Sequence, residues 1–213
     1  LGLVGSEMCI RDRYNMGNVI LQVTQNCNLR CEYCVYSGSY INRVHTNKRM
    51  SFETAVKTID FLAAHSLNCN EVSIGFYGGE PLLEIELIKK AVSYAKEVFG
   101  EKKVNFNMTT NATLLNMDIA DFLVQNDFNI TISLDGPRNI HNKNRIFANS
   151  NKGTFDLIME NIALIREKYP FFDKKISFNA VIDLKQNVSC TNEFFLNYDT
   201  VATVYKGNII KNL

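Results

Sequence analysis

The sequence predicts an α/β fold in which parallel strands and helices alternate to form part of a (βα) barrel. Two observations support this prediction. Short runs rich in β-branched residues alternate with segments in which apolar residues have helical spacing. Polar and glycine-containing stretches follow the strand-like runs directly, at the strand ends where such barrels place their chemistry. About five βα units are present, so we expect a TIM-like barrel that is incomplete at the C-terminus.

Each strand is predicted from a compact apolar run that ends at polar residues or glycine. The second run, for example, stops at Gly78 and Gly79, and the fourth is broken by Asp135, Gly136 and Pro137. The predicted strands span residues 19–23, 72–77, 104–109, 130–134 and 176–182.

The predicted helices show apolar stripes and recognisable ends. Ser51 is a candidate N-cap for the first helix, and Gly100 is a candidate C-cap for the second. The predicted helices span residues 51–65, 82–99, 114–125 and 155–169. No pattern is assigned after Asp183.

Composition restricts the class of protein. The 213 residues carry a formal net charge of +1, which argues against nucleic acid or an anionic membrane as a bulk partner. No apolar run approaches the ~20 residues needed to span a bilayer, and no secretory signal is visible. We therefore expect a cytoplasmic protein.

The cysteines point to a metal site rather than to disulfides. Three of them, Cys27, Cys31 and Cys34, have the spacing C-x3-C-x2-C directly after the first predicted strand. Such clustering is typical of a reduced metal site. A cubane iron–sulfur cluster usually takes four thiolates, so three would leave one iron with an open position for chemistry. The remaining cysteines are scattered: Cys9, Cys69 and Cys190.

Two other metal classes remain open at this point. A structural zinc site needs four protein ligands, and Cys69, His45 or His65 would have to supply the fourth. A non-catalytic electron-transfer module would normally use four cysteines. Neither alternative explains the polar motifs at the other strand ends.

Three motifs together resemble the radical SAM superfamily. They are Cys27-Asn-Leu-Arg-Cys31-Glu-Tyr-Cys34, Gly78-Gly79-Glu80-Pro81-Leu82 and Ser133-Leu-Asp135-Gly-Pro137. The resemblance implies a partial barrel of the radical SAM type. It also implies a [4Fe-4S] cluster on Cys27, Cys31 and Cys34 with S-adenosylmethionine (SAM) on its free iron. One electron would then cleave SAM to a 5′-deoxyadenosyl radical.

The same resemblance implies which residues contact SAM. The predicted contacts are Tyr33 (adenine), Gly78, Gly79 and Glu80 (ammonium group), Asn111, Ser133, and Arg145 (carboxylate). Ala112 departs from the family, which has glycine there. Simpler interpretations exist: core packing for Tyr33, a plain turn for residues 78–81, and a surface position for Arg145. His141 is expected to be a solvated loop residue, with a proton shuttle as the alternative, and Asp135 a turn residue or a substrate contact.

Within the superfamily, the chain resembles SPASM-type maturases that modify peptides. The resemblance implies thioether crosslinking of a cysteine-rich peptide, or formylglycine formation as in anaerobic sulfatase-maturing enzymes. The implied partners are a peptide, expected to contain cysteine, and an electron donor such as flavodoxin or ferredoxin. No catalytic acid or base is identified beyond the cluster.

The domain assignment follows from these motifs. Residues 1–13 resemble a translated sequencing adaptor or a disordered tail and are excluded. Residues 14–213 are assigned to a radical SAM core, truncated at the C-terminus, because the cysteine-rich SPASM region for auxiliary clusters is missing. We expect such a fragment to bind its cluster weakly and to leave peptide modification incomplete.

Overall fold

A computed structural model describes residues 14–36, 45–184 and 188–197. Within these ranges five strands form one sheet in the order β1-β2-β3-β4-β5, and every neighbouring pair is parallel. The strands are β1 (Asn18–Thr24), β2 (Glu71–Gly78), β3 (Lys103–Thr110), β4 (Asn129–Ser133) and β5 (Ile176–Asn179). The predicted α/β class and parallel sheet are confirmed.

Helices connect the strands, and polar side chains fix where several of them begin. The helices are α1 (Phe52–His65), α2 (Ile85–Phe99), α3 (Met117–Gln125), α4 (Arg138–Asn144), α5 (Phe155–Lys168) and α6 (Val188–Leu196). Short 3₁₀ helices span Pro81–Glu84 and Pro170–Lys175. Ser51 caps α1 by accepting from the Thr54 backbone N–H, as predicted, and Gly100 follows α2 with a φ of 56°.

Several predicted element bounds differ from the structure, and two helices, α4 and α6, were not predicted. The helix predicted from residue 82 begins as a 3₁₀ turn, because Pro81 and the Glu80 side chain fix a tight turn there. β5 ends at Asn179 rather than at residue 182. α4 was missed because Ile140 is its single strongly apolar residue, so it lacks a stripe. Residues 1–13, Cys9 and residues 198–213 lie outside the described ranges, so the assignments made for them stay predictions.

The apolar core lies between one face of the sheet and the helices. Alternate strand residues point to this face, and three buried rings, Phe76, Phe106 and Phe128, stack with centroids 5.4–6.4 Å apart. Full burial of a side chain of this size stabilises the fold by roughly 1.5–3 kcal/mol. The core therefore fixes the strands, and with them the loops at their carboxyl ends.

The opposite face of the sheet carries polar side chains that bond across strands. Asn107 donates to the Ser73 hydroxyl at 2.7 Å, and Asn129 donates to Asn107 at 3.3 Å. Closed barrels normally fill this side with branched apolar residues. The sheet therefore forms the wall of an open, partial barrel. Across the described ranges, no helix is both long and apolar enough to cross a bilayer.

Candidate functional site

The predicted site residues lie at one edge of the sheet. The three cysteines follow β1, Glu80 follows β2, Asn111 follows β3, and Ser133 ends β4. Because all five strands are parallel, these positions share the carboxyl edge. Residues far apart in sequence thus meet in one region.

Gly78 and Gly79 allow the end of β2 to lie directly against the segment that leads to the first cysteine. Gly78 has a φ of +148°, and a Cβ atom there would lie 2.1 Å from the Thr24 carbonyl oxygen. A Cβ on Gly79 would lie 2.1 Å from the carbonyl oxygen of Asn26. The backbone N–H groups of Gly79 and Glu80 donate to these same oxygens at 2.9 and 2.8 Å. Only glycine fits this close contact.

The Glu80 carboxylate ties the ends of β2 and β3 together. One oxygen accepts from the Leu82 N–H at 3.0 Å and the Thr110 hydroxyl at 2.6 Å, and the other accepts from the Asn111 N–H at 2.7 Å. Glu80 is 1% exposed, and its burial raises its pKa to about 7, although the three donors oppose this shift. Its carboxylate therefore holds the carboxyl ends of β2 and β3 together. The predicted contact between Glu80 and the SAM ammonium group stays a prediction.

The three thiols of the loop are free and influence one another electrostatically. Backbone N–H groups point at two of the sulfurs: Leu29 donates to Cys27 Sγ at 3.3 Å, and Tyr36 donates to Cys34 Sγ at 3.4 Å. Burial is the main reason that the pKa of Cys27 is raised to about 12 and that of Cys31 to about 11. The Glu80 carboxylate adds to the rise at Cys27, the Arg145 charge opposes it at Cys31, and charge on the neighbouring thiols contributes to both. Deprotonated thiols are therefore costly here unless a cation neutralises them.

This donor set fits an iron–sulfur cluster better than a single zinc ion. Within the described ranges no three His, Cys, Asp or Glu side chains are arranged to hold one metal ion. A cluster distributes its thiolates over several iron atoms, so its ligands need not converge on one point. Of the proposed fourth zinc ligands, His65 instead contacts the Phe61 carbonyl oxygen at the end of α1. This contact gives no support to His65 as a fourth zinc ligand.

The cysteine loop is anchored to the segment that follows α4. Leu29 forms an antiparallel bridge with Phe147, and the Arg30 N–H donates to the carbonyl oxygen of Ile146 at 2.9 Å. The Ala148 N–H donates back to the Asn28 carbonyl oxygen at 2.9 Å. Two stretches more than 100 residues apart in sequence thus fix the loop together.

Tyr33 and Arg145, both predicted to contact SAM, meet at Asp135. The Arg145 Nε and Nη2 donate to the two Asp135 carboxylate oxygens at 2.9 and 3.1 Å, and the Tyr33 hydroxyl donates to one of the same oxygens. The Arg145 guanidinium also lies 5.4 Å from the centre of the Tyr33 ring. Arg145 is 8% exposed, so the alternative of a surface arginine was wrong. Its pairing with a SAM carboxylate stays a prediction.

The prediction that His141 is a solvated loop residue was wrong. His141 is fully buried on α4, and its Nδ1 accepts from the Asp135 backbone N–H at 3.3 Å. The proton therefore resides on Nε2, which donates to the Thr154 hydroxyl at 2.9 Å. Burial and the charge of Arg145 lower its pKa to about 4, so it stays neutral at physiological pH. His141 positions the loop that carries Asp135.

Asn111 is 6% exposed, and its side-chain amide donates to Asn28 at 2.9 Å. Asn28 and Thr113, which complete this contact, were missed, because no local sequence signal joins positions 83–85 residues apart. Ala112 adopts a φ of 58°, a left-handed conformation that glycine adopts with less strain than alanine. Ser133 is partly buried at the end of β4, and its contact with SAM stays a prediction.

Comparisons with known proteins agree with this geometry. The chain is 38% identical over 157 residues to an uncharacterized protein of Methanocaldococcus jannaschii, covering 73% of this chain and 51% of that protein. It is 33% identical over 178 residues to a cysteine-type anaerobic sulfatase-maturating enzyme of Clostridium novyi, covering 82% and 45%. The solved structure of native anSMEcpe with bound AdoMet superposes with a TM-score of 0.73 at 26% identity, covering 87% and 50%.

The chain spans about half the length of these relatives. The fold shared with the anSMEcpe structure confirms the predicted partial barrel of the radical SAM type. Residues 21–195, most of the chain, match the Radical SAM superfamily. This chain belongs to the radical SAM superfamily.

Proposed function

We propose that the full-length protein is a radical SAM enzyme that modifies a peptide. One observation carries the proposal: the C-x3-C-x2-C loop lies at the carboxyl edge of a parallel sheet, with backbone N–H groups directed at two of its sulfurs. The name of the C. novyi relative and a solved neighbour, native anSMEcpe with AdoMet and a peptide, support a peptide substrate.

The described residues have distinct tasks in this proposal. Cys27, Cys31 and Cys34 hold a [4Fe-4S] cluster, which when bound supplies the electron that cleaves the sulfonium bond of SAM. The backbone at Gly78 and Gly79 and the Ser133 hydroxyl bind SAM. Tyr33 and Arg145 complete the pocket from the other side, held in place by Asp135. We propose an electron donor such as flavodoxin or ferredoxin and a cytoplasmic location.

The bond formed in the peptide has two candidates. The motif pattern supports thioether crosslinking of a cysteine-rich peptide. The sulfatase-maturating relatives favour a second candidate, oxidation of a peptide cysteine to formylglycine. The two products differ chemically, because a thioether keeps the cysteine sulfur in the peptide whereas formylglycine has lost it. Mass spectrometry of cysteine-containing peptides after turnover distinguishes them.

The test of SAM cleavage is anaerobic reconstitution with iron and sulfide, followed by assay of 5′-deoxyadenosine with dithionite. We expect product from the protein and none from Cys31→Ala, which removes a buried thiol of the loop. Cys69→Ala is the matched control, because Cys69 lies outside the loop and should retain activity. Failure of both this chain and its full-length form to cleave SAM would overturn the proposal.

A further inference from the structure

The Asn111 side chain is held in one orientation by partners that cannot exchange roles. The Thr113 backbone N–H donates to Asn111 Oδ1 at 3.0 Å, and a backbone N–H can only donate. The Thr113 hydroxyl donates to the same oxygen at 2.7 Å. Oδ1 is therefore fixed on the Thr113 side, and the Nδ2 group must point the other way.

The Nδ2 group faces the first cysteine of the loop. It donates to Asn28 Oδ1 at 2.9 Å and lies 3.7 Å from Cys27 Sγ. Asn28 in turn donates to the Thr113 hydroxyl at 2.8 Å, which closes a ring of three side chains. An amide has two N–H bonds, so Asn111 can donate one hydrogen bond to Asn28 and another to Cys27.

The surroundings strengthen this contact. Asn111 and Thr113 are 6% and 7% exposed, so water competes little with the N–H directed at sulfur. The backbone N–H of Asn111 also binds the Glu80 carboxylate at 2.7 Å. Asn111 thus donates on one side to a buried carboxylate and on the other to a metal-binding sulfur. Hydrogen bonds to ligand sulfurs are among the factors that set the potential of an iron–sulfur cluster.

We infer that Asn111 is a positioning residue that directs an amide N–H at the Cys27 sulfur and so raises the reduction potential of the cluster bound there. The inference rests on the proposed function, because it requires Cys27 to bind iron. It assigns the Asn111 side chain to the sulfur ligand rather than to SAM. The N–H stabilises the extra negative charge that the cluster carries once reduced.

The test is an anaerobic redox titration of the reconstituted full chain without SAM, followed by the EPR signal of the reduced cluster. Asn111→Ala removes the donor, and we expect the reduction equilibrium to shift roughly tenfold towards the oxidised form, about 59 mV lower for a one-electron couple. Thr113→Val is the matched control. It removes a hydroxyl from the same ring but keeps the backbone N–H that orients Asn111, so the potential should stay unchanged.

A potential in Asn111→Ala equal to that of the unaltered chain would overturn the inference. If this variant does not assemble a cluster, Asn111→Asp replaces it, because it keeps the shape and the Oδ1 acceptor but turns an oxygen towards Cys27. Its potential should also fall, and an unchanged or higher value would count against the inference. Loss of the cluster from both variants but not from Thr113→Val would assign Asn111 to assembly instead. If neither the unaltered chain nor its full-length form binds a cluster, the proposed function itself fails.

Discussion

Asp135 binds the guanidinium of Arg145 through both of its carboxylate oxygens, in a pair whose side chains are 2% and 10% exposed. The carboxylate also accepts from the Val181 backbone N–H at 3.0 Å, so one side chain joins the ends of β4 and β5 to the segment after α4. Charges buried in this way are tolerated only when they are paired. The pair is therefore a structural requirement of the site.

Asp135→Asn should destabilise the fold strongly, because it leaves the Arg145 charge buried without a counter-charge. We expect a loss of about 3–5 kcal/mol in the free energy of unfolding, measured by chemical denaturation. Asp156→Asn is the matched control: its pair with Arg138 is exposed, so its loss should cost at most about 1 kcal/mol. Equal losses in the two variants would show that the buried pair contributes no more to the free energy of unfolding than the exposed pair does.

Gly79→Ala should disrupt the contact between β2 and the cysteine loop. The added Cβ would lie 2.1 Å from a backbone oxygen, which cannot move without shifting the loop. We expect a loss of at least about 1–3 kcal/mol, and a weaker binding of iron by the reconstituted protein. Gly17→Ala provides the comparison, because a Cβ there has no atom within 4 Å. A fully stable Gly79→Ala with normal iron content would contradict this contact.

The buried Glu80 should make stability fall with rising pH across a defined window. Burial raises its pKa from an ordinary value of 4.5 to about 7 in the fold, so the folded state binds this proton more tightly than the unfolded chain. The stabilisation is complete below about pH 4.5 and is lost as pH rises through 7, by on the order of 3 kcal/mol. The difference in unfolding free energy between the unaltered protein and Glu80→Gln isolates this effect. A difference that is independent of pH would refute the assignment.

Ala112→Gly should cost little, although the residue is fully buried. Its φ of 58° strains a residue with a Cβ by roughly 1–2 kcal/mol, and glycine relieves this strain. The lost methyl group and the added chain entropy offset the gain, so we expect a net change within about 1 kcal/mol. Ala95→Gly, equally buried but inside α2, should cost more than about 1 kcal/mol. Thermal denaturation compares the two, and an equal loss in both would contradict the strain at Ala112.

The sequence predicts local structure well here and tertiary contacts poorly. The parallel strands follow from apolar runs such as that of β2, whose buried residues alternate. α4 escaped prediction because its polar sequence lacks a stripe, and the misassignment of His141 followed from that. The hydroxyl of Tyr33 meets Asp135 across 102 residues. No periodicity can predict such a contact, since it depends on how the strand ends meet.

Because residues 146–148 anchor the cysteine loop, the three cysteines alone are not enough to transfer the metal site to another protein. A synthetic peptide of residues 27–34 contains every thiol of the motif but none of the backbone partners that hold Asn28 and Arg30 in place. The distances between its sulfurs would vary widely, and the entropy lost when the peptide becomes ordered would lower its affinity for iron. Grafting the motif into another scaffold therefore requires a segment that pairs with the loop, as residues 146–148 do here, as well as three cysteines.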